Sequence, residues 1–209
     1  MNTFLLIIIA LISYGLGGFN GAILASRLVH NSDVREHGSH NAGLTNYLRT
    51  YGYIGCVVVI LTDVLKTVIA MLIGGWLLGL RGYPLTGRIF ACFCVMLGHI
   101  WPAIYRFKGG KGVLCAGTAT FLIDWRVGLI CWAVFLLLVL FTRYVSLGSV
   151  CSCASFPILL LIFGHTGIDV WLGLFCALLS IFKHIPNIRR LIAGKESKLR
   201  FGKKDNPFA

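Results

Sequence analysis

Charge is what this chain has least of, and acidic charge above all. Seven Asp and Glu stand against 19 Lys and Arg in 209 residues, and charged residues make up only 12%. A water-soluble domain usually carries about a quarter, so too few charges remain to coat a surface facing water. No C-x-x-C pair occurs among the eight cysteines, all of which lie in or beside apolar runs. The two C-x-C pairs, Cys92 with Cys94 and Cys151 with Cys153, put their thiols on different faces of a helix, which suits neither a zinc site nor a disulfide. The thiols are expected to be inert and membrane-buried. With no metal-ligating cluster visible, no metal and no cofactor is expected. Residues 1–3 hold no Lys or Arg, and no small-residue cleavage site follows, so the first apolar run reads as a retained span rather than a cleaved signal peptide. There is no internal repeat, low-complexity tract or long linker.

What the chain does have is apolar length. Hydrophobic residues reach 57% and the mean hydropathy is +0.85. A membrane-spanning helix needs roughly 20 apolar residues, so up to seven spans fit if loops are short. The reading is an all-α, polytopic membrane protein of about seven transmembrane helices, forming one membrane-embedded domain over 1–209. The apolar runs are 4–28, 53–80, 89–105, 113–123, 127–142, 147–163 and 170–182, followed by a basic tail at 183–209. The run at 113–123 is too short for an upright span and must be short, tilted or re-entrant.

Charge orients these runs. With seven crossings and the N-terminus outside, the inner loops and tail hold 15 basic residues, from Arg27, Arg35 and Arg49 through Arg106, Lys108 and Lys111 to the tail. The outer loops hold only Arg81, Arg88 and Arg126. Basic loops face the cytoplasm, so the C-terminus is expected to be cytoplasmic. The net charge of +12 does not mark a nucleic-acid binder, because the charges lie between apolar runs and not on a soluble module.

Three polar stretches could carry chemistry. The first, Gly38-Ser39-His40-Asn41-Ala42-Gly43-Leu44-Thr45-Asn46 with Arg49, supplies hydroxyls, amides, backbone N–H groups and a guanidinium, the groups that hold a phosphate or a hydroxyl substrate. It also reads as an ordinary capped loop. The second, Arg106-Phe107-Lys108-Gly109-Gly110-Lys111-Gly112, precedes an apolar helix and looks like a phosphate cradle at a helix N-terminus. It is not a nucleotide-hydrolysing phosphate loop, since Tyr105 and Gly112 stand where Gly and Ser or Thr are needed. Its blander reading is an anchor on anionic headgroups. The third is the tail, where His184 and Asn187 share a helical face and the later cations read as an interfacial segment. Within the second run Asp63 and Lys66 stand three apart and read as a structural pair. His99 reads as an interfacial hydrogen-bonder. His165 and Asp169 form H-x-x-x-D, one residue short of the acyltransferase spacing and on the wrong side, and are set aside.

Together these stretches resemble the bacterial acyl-phosphate:glycerol-3-phosphate acyltransferase family (PlsY type), over nearly the whole chain and in order. The resemblance rests on Asn20-Gly21-Ala22, Gly38-Ser39-x-Asn41 with Thr45-Asn46-x-x-Arg49, Asp63-x-x-Lys66 and Gly98-His99-x-x-Pro102. It continues through Phe107-Lys108-Gly109-Gly110-Lys111-Gly112-Val113 and Arg143-Tyr144-Val145-Ser146-Leu147 to His184-x-x-Asn187-Ile188-x-Arg190-Leu191-x-x-Gly194-x-Glu196-x-Lys198. Four places depart from the family pattern: His40 replaces a Gly, Leu44 an Ala, Leu114-Cys115 an Ala-Thr, and Ile185 an Arg.

The resemblance implies transfer of a fatty acyl group from acyl phosphate to the 1-hydroxyl of glycerol 3-phosphate, giving lysophosphatidic acid in phospholipid biosynthesis. It implies a place in the bacterial inner membrane, beside the enzyme that makes acyl phosphate, with the site facing the cytoplasm. Catalytic roles would fall to Ser39, Arg49, Lys108 and His184, and substrate binding to Asn41, Thr45, Asn46, Gly109, Gly110, Lys111 and Asn187. Either His184 or the substrate's own phosphate would take the hydroxyl proton. The competing class is a transporter or lipid-handling protein for phosphorylated small molecules, for which inverted repeats would be the mark; none is seen.

Overall fold

The computed structural model describes residues 3–199. Among them lie ten α-helices, two short 3-10 turns and no strand. Helix α1 (Thr3–Gly18) and α2 (Gly21–His30) divide the first apolar run, which was counted as one span. The break has a local cause. Asn20 sits in an extended conformation and its side chain accepts from the N–H groups of Ala22 and Ile23, both at 3.1 Å, capping α2. A short helix, α3 (Leu44–Tyr51), follows the first polar loop.

Helix α4 (Cys56–Gly79) and α5 (Pro84–Ile100) form an antiparallel pair against α1. Glycines set these crossings. A methyl group on Gly98 would collide with the Tyr14 carbonyl, and one on Gly17 with that of Val95. Helices in lipid gain little from apolar burial and associate through such close approach. Helix α6 (Val113–Ile123) is the 11-residue run and rises only about 16 Å. Then come α7 (Trp125–Thr142), α8 (Val145–Ile162) and α9 (Ile168–Lys183). Part of the expected polar tail is helical: α10 (Ile185–Ile192) bends away from α9 by 58°. Arg200, Lys203 and Lys204, used above for orientation, lie outside the described residues.

By length and composition five helical segments among the described residues can cross a bilayer: α1 with α2, then α4, α5 with the 3-10 turn after it, α7 and α8; the bent pair α9–α10 makes a sixth. Helix α6 begins against Met96 and Ile100 near the end of α5. It finishes where Arg88, near the start of α5, donates to the Leu122 carbonyl at 3.0 Å. That second end of the bundle has its own polar contacts. Thr86 donates to Asp169 at 2.6 Å, and Asp124 pairs with Arg126 at 2.7 Å and His165 at 3.2 Å. His165 and Asp169 thus answer different partners. All eight cysteines are free, and six are buried.

A buried charge holds the broken span together. The Lys66 ammonium lies 2.6 Å from Asp63 and reaches the carbonyls of Gly17 at 3.3 Å and Phe19 at 2.9 Å. These are carbonyls that the end of α1 leaves open. Asp63 in turn accepts from the Gly21 N–H at 3.4 Å, at the start of α2. One ion pair therefore satisfies both sides of the gap, where lipid could satisfy neither. The pair expected from the three-residue spacing is formed.

Candidate active site

The first loop is organised by Asn46. Its side chain is buried, accepts from the Ser39 N–H at 2.8 Å and donates to the carbonyls of Val34 and His37, each at 3.0 Å. That uses its oxygen and both its N–H groups, so Asn46 shapes the loop around the substrate space. Asn20 ties the same loop to the broken span by donating to the Ala42 carbonyl at 3.1 Å. Asp33 accepts from Arg35 at 2.7 Å and Arg27 at 3.1 Å. Those guanidiniums hold its carboxyl well below the usual range, the Arg35 contact contributing most. Arg35 also donates to the carbonyls of Tyr105 and Lys108, joining the first loop to the second.

The glycine-lysine loop differs from its sequence expectation. Arg106 and Phe107 both adopt left-handed backbone, φ 55° and 59°, and reverse the chain. Lys108 is left exposed and does not line the cavity described below. The Gly109 and Gly110 N–H groups donate to the carbonyls of Ile100 at 3.2 Å and His99 at 3.1 Å, closing the end of α5. They are not offered to an anion, and neither glycine lines the cavity. The glycines are required for closeness: a methyl group on Gly109 would strike the His99 carbonyl, and one on Gly110 the Ala42 carbonyl and the His99 ring. Lys111 is the lysine that turns inward. Its Nζ donates to the Asn187 amide oxygen, and burial, the largest influence, pushes its pKa down to about 8.

The tail closes the remaining side. His184 lies at the α9–α10 bend, buried, with Nδ1–H donating to the Ser180 carbonyl at 2.8 Å. That leaves Nε2 as the acceptor nitrogen. Asn187 donates to Glu196 at 2.7 Å, and Glu196 also accepts from Ser146 at 2.8 Å and Arg190 at 2.7 Å. Burial opposes ionisation of Glu196, but these donors together hold its pKa below the ordinary value. Arg49 donates to the Ser197 carbonyl at 3.0 Å, and burial lowers its pKa.

These elements enclose one cavity of about 830 Å³. Ser39, Asn41, Thr45, Asn46, Arg49, Lys111, His184 and Asn187 line it, so eight of the eleven expected site residues meet there; Lys108, Gly109 and Gly110 do not. Arg49, Lys111 and Arg190 give the polar end three cations. Helix α6 starts at the cavity with Gly112, Val113 and Leu114 in its wall, adding a positive dipole end. The cavity then runs between the helices to Trp132, Phe135 and Phe156.

Sequence reading gave Arg190, Ser146 and Glu196 no part in the site: Arg190 was read with the interfacial tail cations, and all three stood only as positions of the family pattern. The signals for Glu196 were its place in the family pattern and its standing as a carboxylate among tail cations. Asp63, His99 and Cys115 bring three potential metal ligands within 4.8 Å, the one such group among the described residues. The Lys66 ammonium lies 2.6 Å from Asp63 and 2.9 Å from His99, and opposes a second cation there.

A helical membrane bundle whose cation-lined cavity leads into an apolar one defines a membrane protein built to hold an anionic amphiphile. The family profile described as glycerol-3-phosphate acyltransferase matches residues 7–194. A glycerol-3-phosphate acyltransferase of Finegoldia magna is 43% identical, covering 95% of this chain and 98% of the relative. Another, of Thermoanaerobacter sp. (strain X514), is 40% identical, covering 92% and 95%. Two crystal structures of PlsY (YgiH), an integral membrane glycerol 3-phosphate acyltransferase, superpose on the chain. The glycerol 3-phosphate form has a TM-score of 0.84 at 29% identity, covering 93% of this chain and 96% of that one. The lysophosphatidic acid form has 0.81 at 28%, covering 93% and 95%. The chain belongs to the glycerol-3-phosphate acyltransferase family.

Proposed function

We propose that this chain transfers a fatty acyl group from acyl phosphate to the 1-hydroxyl of glycerol 3-phosphate, releasing phosphate and lysophosphatidic acid. The observation that carries this reading is the single cavity, cationic at one end and apolar at the other. Both substrates bear phosphate, and one bears a long chain. Arg49, Lys111 and Arg190 hold the phosphates, with Ser39, Asn41 and Thr45 as neutral partners. Asn187, fixed by Lys111 and Glu196, orients the glycerol phosphate. The acyl chain lies toward Trp132, Phe135 and Phe156.

The hydroxyl oxygen attacks the acyl carbon, the bond from that carbon to the phosphate oxygen breaks, and phosphate leaves. An acyl phosphate is already activated, so no covalent enzyme intermediate is needed. Positioning and charge stabilisation supply most of the acceleration. The hydroxyl proton passes to the departing phosphate. His184, whose Nε2 is the free acceptor, is the alternative base.

The same reading places the protein in the bacterial inner membrane with seven crossings, α6 being one, the N-terminus outside and the site in the cytoplasm. It is supported by the basic loops and by the two polar ends of the bundle. Impermeant labels should reach Ser39→Cys, Lys108→Cys and Lys195→Cys from the cytoplasm and Arg81→Cys from outside. Labelling of the first three on opposite sides would end the common-pocket reading. Phosphate release by the purified chain, dependent on both substrates and accompanied by lysophosphatidic acid, tests the activity; no product with acyl phosphate would overturn the donor assignment.

A further inference from the structure

His99 is buried, 3% exposed, near the end of α5, and has been given no part in the chemistry so far. Its two ring nitrogens face different worlds. Nδ1 lies 2.9 Å from the Lys66 ammonium and 3.5 Å from the Asp63 carboxylate, and those two lie 2.6 Å from each other. The ammonium is the nearer of the two, and a protonated Nδ1 would oppose it, so Nδ1 accepts from Lys66 and the proton sits on Nε2. The buried trio then carries one negative charge, one positive charge and a neutral imidazole, the arrangement a low-dielectric interior tolerates. Nε2–H is on the opposite edge of the ring, beside Gly110, in the wall of the cavity. It has no hydrogen-bond partner among the described residues. The donor reaches the cavity, where a substrate oxygen can pair with it.

We propose that His99 is a substrate-binding residue of this site, a neutral donor whose Nε2–H is held toward a substrate oxygen by the Lys66 ammonium behind it. The oxygen belongs to a phosphate, which both substrates carry, or to the carbonyl of the acyl phosphate. This rests on the acyl-transfer reading above. The same ion pair that closes the gap between α1 and α2 thereby fixes a tautomer in the cavity. Asp63 and Lys66 need not touch substrate to matter.

Side-chain amides separate the two edges of the ring. In His99→Asn the amide overlies Nδ1, so an acceptor for Lys66 remains and the cavity donor is lost. In His99→Gln the amide N–H overlies Nε2, so the cavity donor remains. Lys66 keeps Asp63 and the Gly17 and Phe19 carbonyls as partners, so both variants should fold. The purified variants are compared in melting temperature and in kcat and KM for each substrate by phosphate release. A hydrogen bond to a charged group corresponds to roughly a 10- to 150-fold change in kcat/KM. His99→Asn should lose about that much for at least one substrate while melting near the wild type, and His99→Gln should recover most of it. An Asn variant with wild-type kcat/KM for both substrates, or a Gln variant no better than Asn, overturns the proposal. Calorimetric binding of glycerol 3-phosphate and of a non-hydrolysable acyl phosphonate is measured on the same three proteins. If the wild type shows no turnover, the acyl-transfer reading fails by itself, while weaker binding of either probe by Asn than by Gln still supports the donor and equal binding of both still overturns it.

Discussion

Replacing Lys111 with Met tests the assignment of the inward lysine. Lys111 touches the cavity, donates to Asn187 and titrates near 8 because burial disfavours its charge. Methionine keeps the length and removes the ammonium. A hydrogen bond to a charged group contributes about 1.5–3 kcal/mol, which is roughly 10- to 150-fold in kcat/KM. The pH dependence sharpens the test. A phosphate monoester has its second pKa near 6, so substrate charge is constant above about pH 7.5. Wild-type kcat/KM, which reports the free enzyme, should fall as pH rises through about 8. In kcat the same limb should move upward, because a bound phosphate favours the ammonium. Unfolding gives the opposite sign. An unfolded lysine titrates near 10.4, so between about 8 and that value the unfolded chain binds more protons, and this group's contribution to stability rises with pH. Loss of activity above pH 8 without loss of stability therefore points to the site. Phosphate release would be followed from pH 6 to 10 in both proteins. A Lys111→Met enzyme within about twofold of wild type, or one keeping the alkaline limb, refutes the assignment.

Lys66→Met should destabilise the protein by about 3–5 kcal/mol, since it leaves Asp63 charged and buried; thermal unfolding in detergent should show Asp63→Leu combined with Lys66→Met recovering part of the loss, and additive losses would contradict the pairing. Gly98→Ala should cost about 1–3 kcal/mol by forcing α5 from α1, read as a lower melting temperature; an unchanged one would show that the crossing can relax. His40 stands at φ 58°, where a non-glycine residue costs roughly 1 kcal/mol. The Arg35 carbonyl partly offsets this through a 3.0 Å bond to the His40 ring. His40→Gly should therefore change stability by less than about 1 kcal/mol and keep turnover; a large drop in either would make His40 a working part of the loop.

Some of this was legible before any coordinates. The loop from Gly38 to Arg49 and the pair His184 and Asn187 announced themselves by polar density and spacing, and they meet. The glycine-lysine loop misled because what its N–H groups bond is decided by the end of α5, which the local sequence does not specify. Two left-handed residues, Arg106 and Phe107, then turned Lys108 outward and left Lys111 as the inner cation. Asn20 was visible in the Asn20-Gly21-Ala22 pattern, but hydropathy averages over one residue and did not show that it caps a second helix. Glu196 was visible as a carboxylate among tail cations, yet its partners Ser146, Asn187 and Arg190 meet only once α8 and α10 have folded together.

The gap at Phe19 and Asn20 carries a consequence for biogenesis. The N-terminal segment leaves the ribosome with an interruption it cannot mend alone, and its remedy lies about 45 residues later, on α4. Until that second hydrophobic segment enters the bilayer, backbone carbonyls stand open to lipid; when it does enter, it brings two charges that need the first. The opening third of the polypeptide should therefore insert as a unit. A chain truncated before Cys56 should be cleared rapidly by membrane proteases, one truncated after Gly79 should persist, and equal lifetimes in a pulse-chase would argue against this order of assembly.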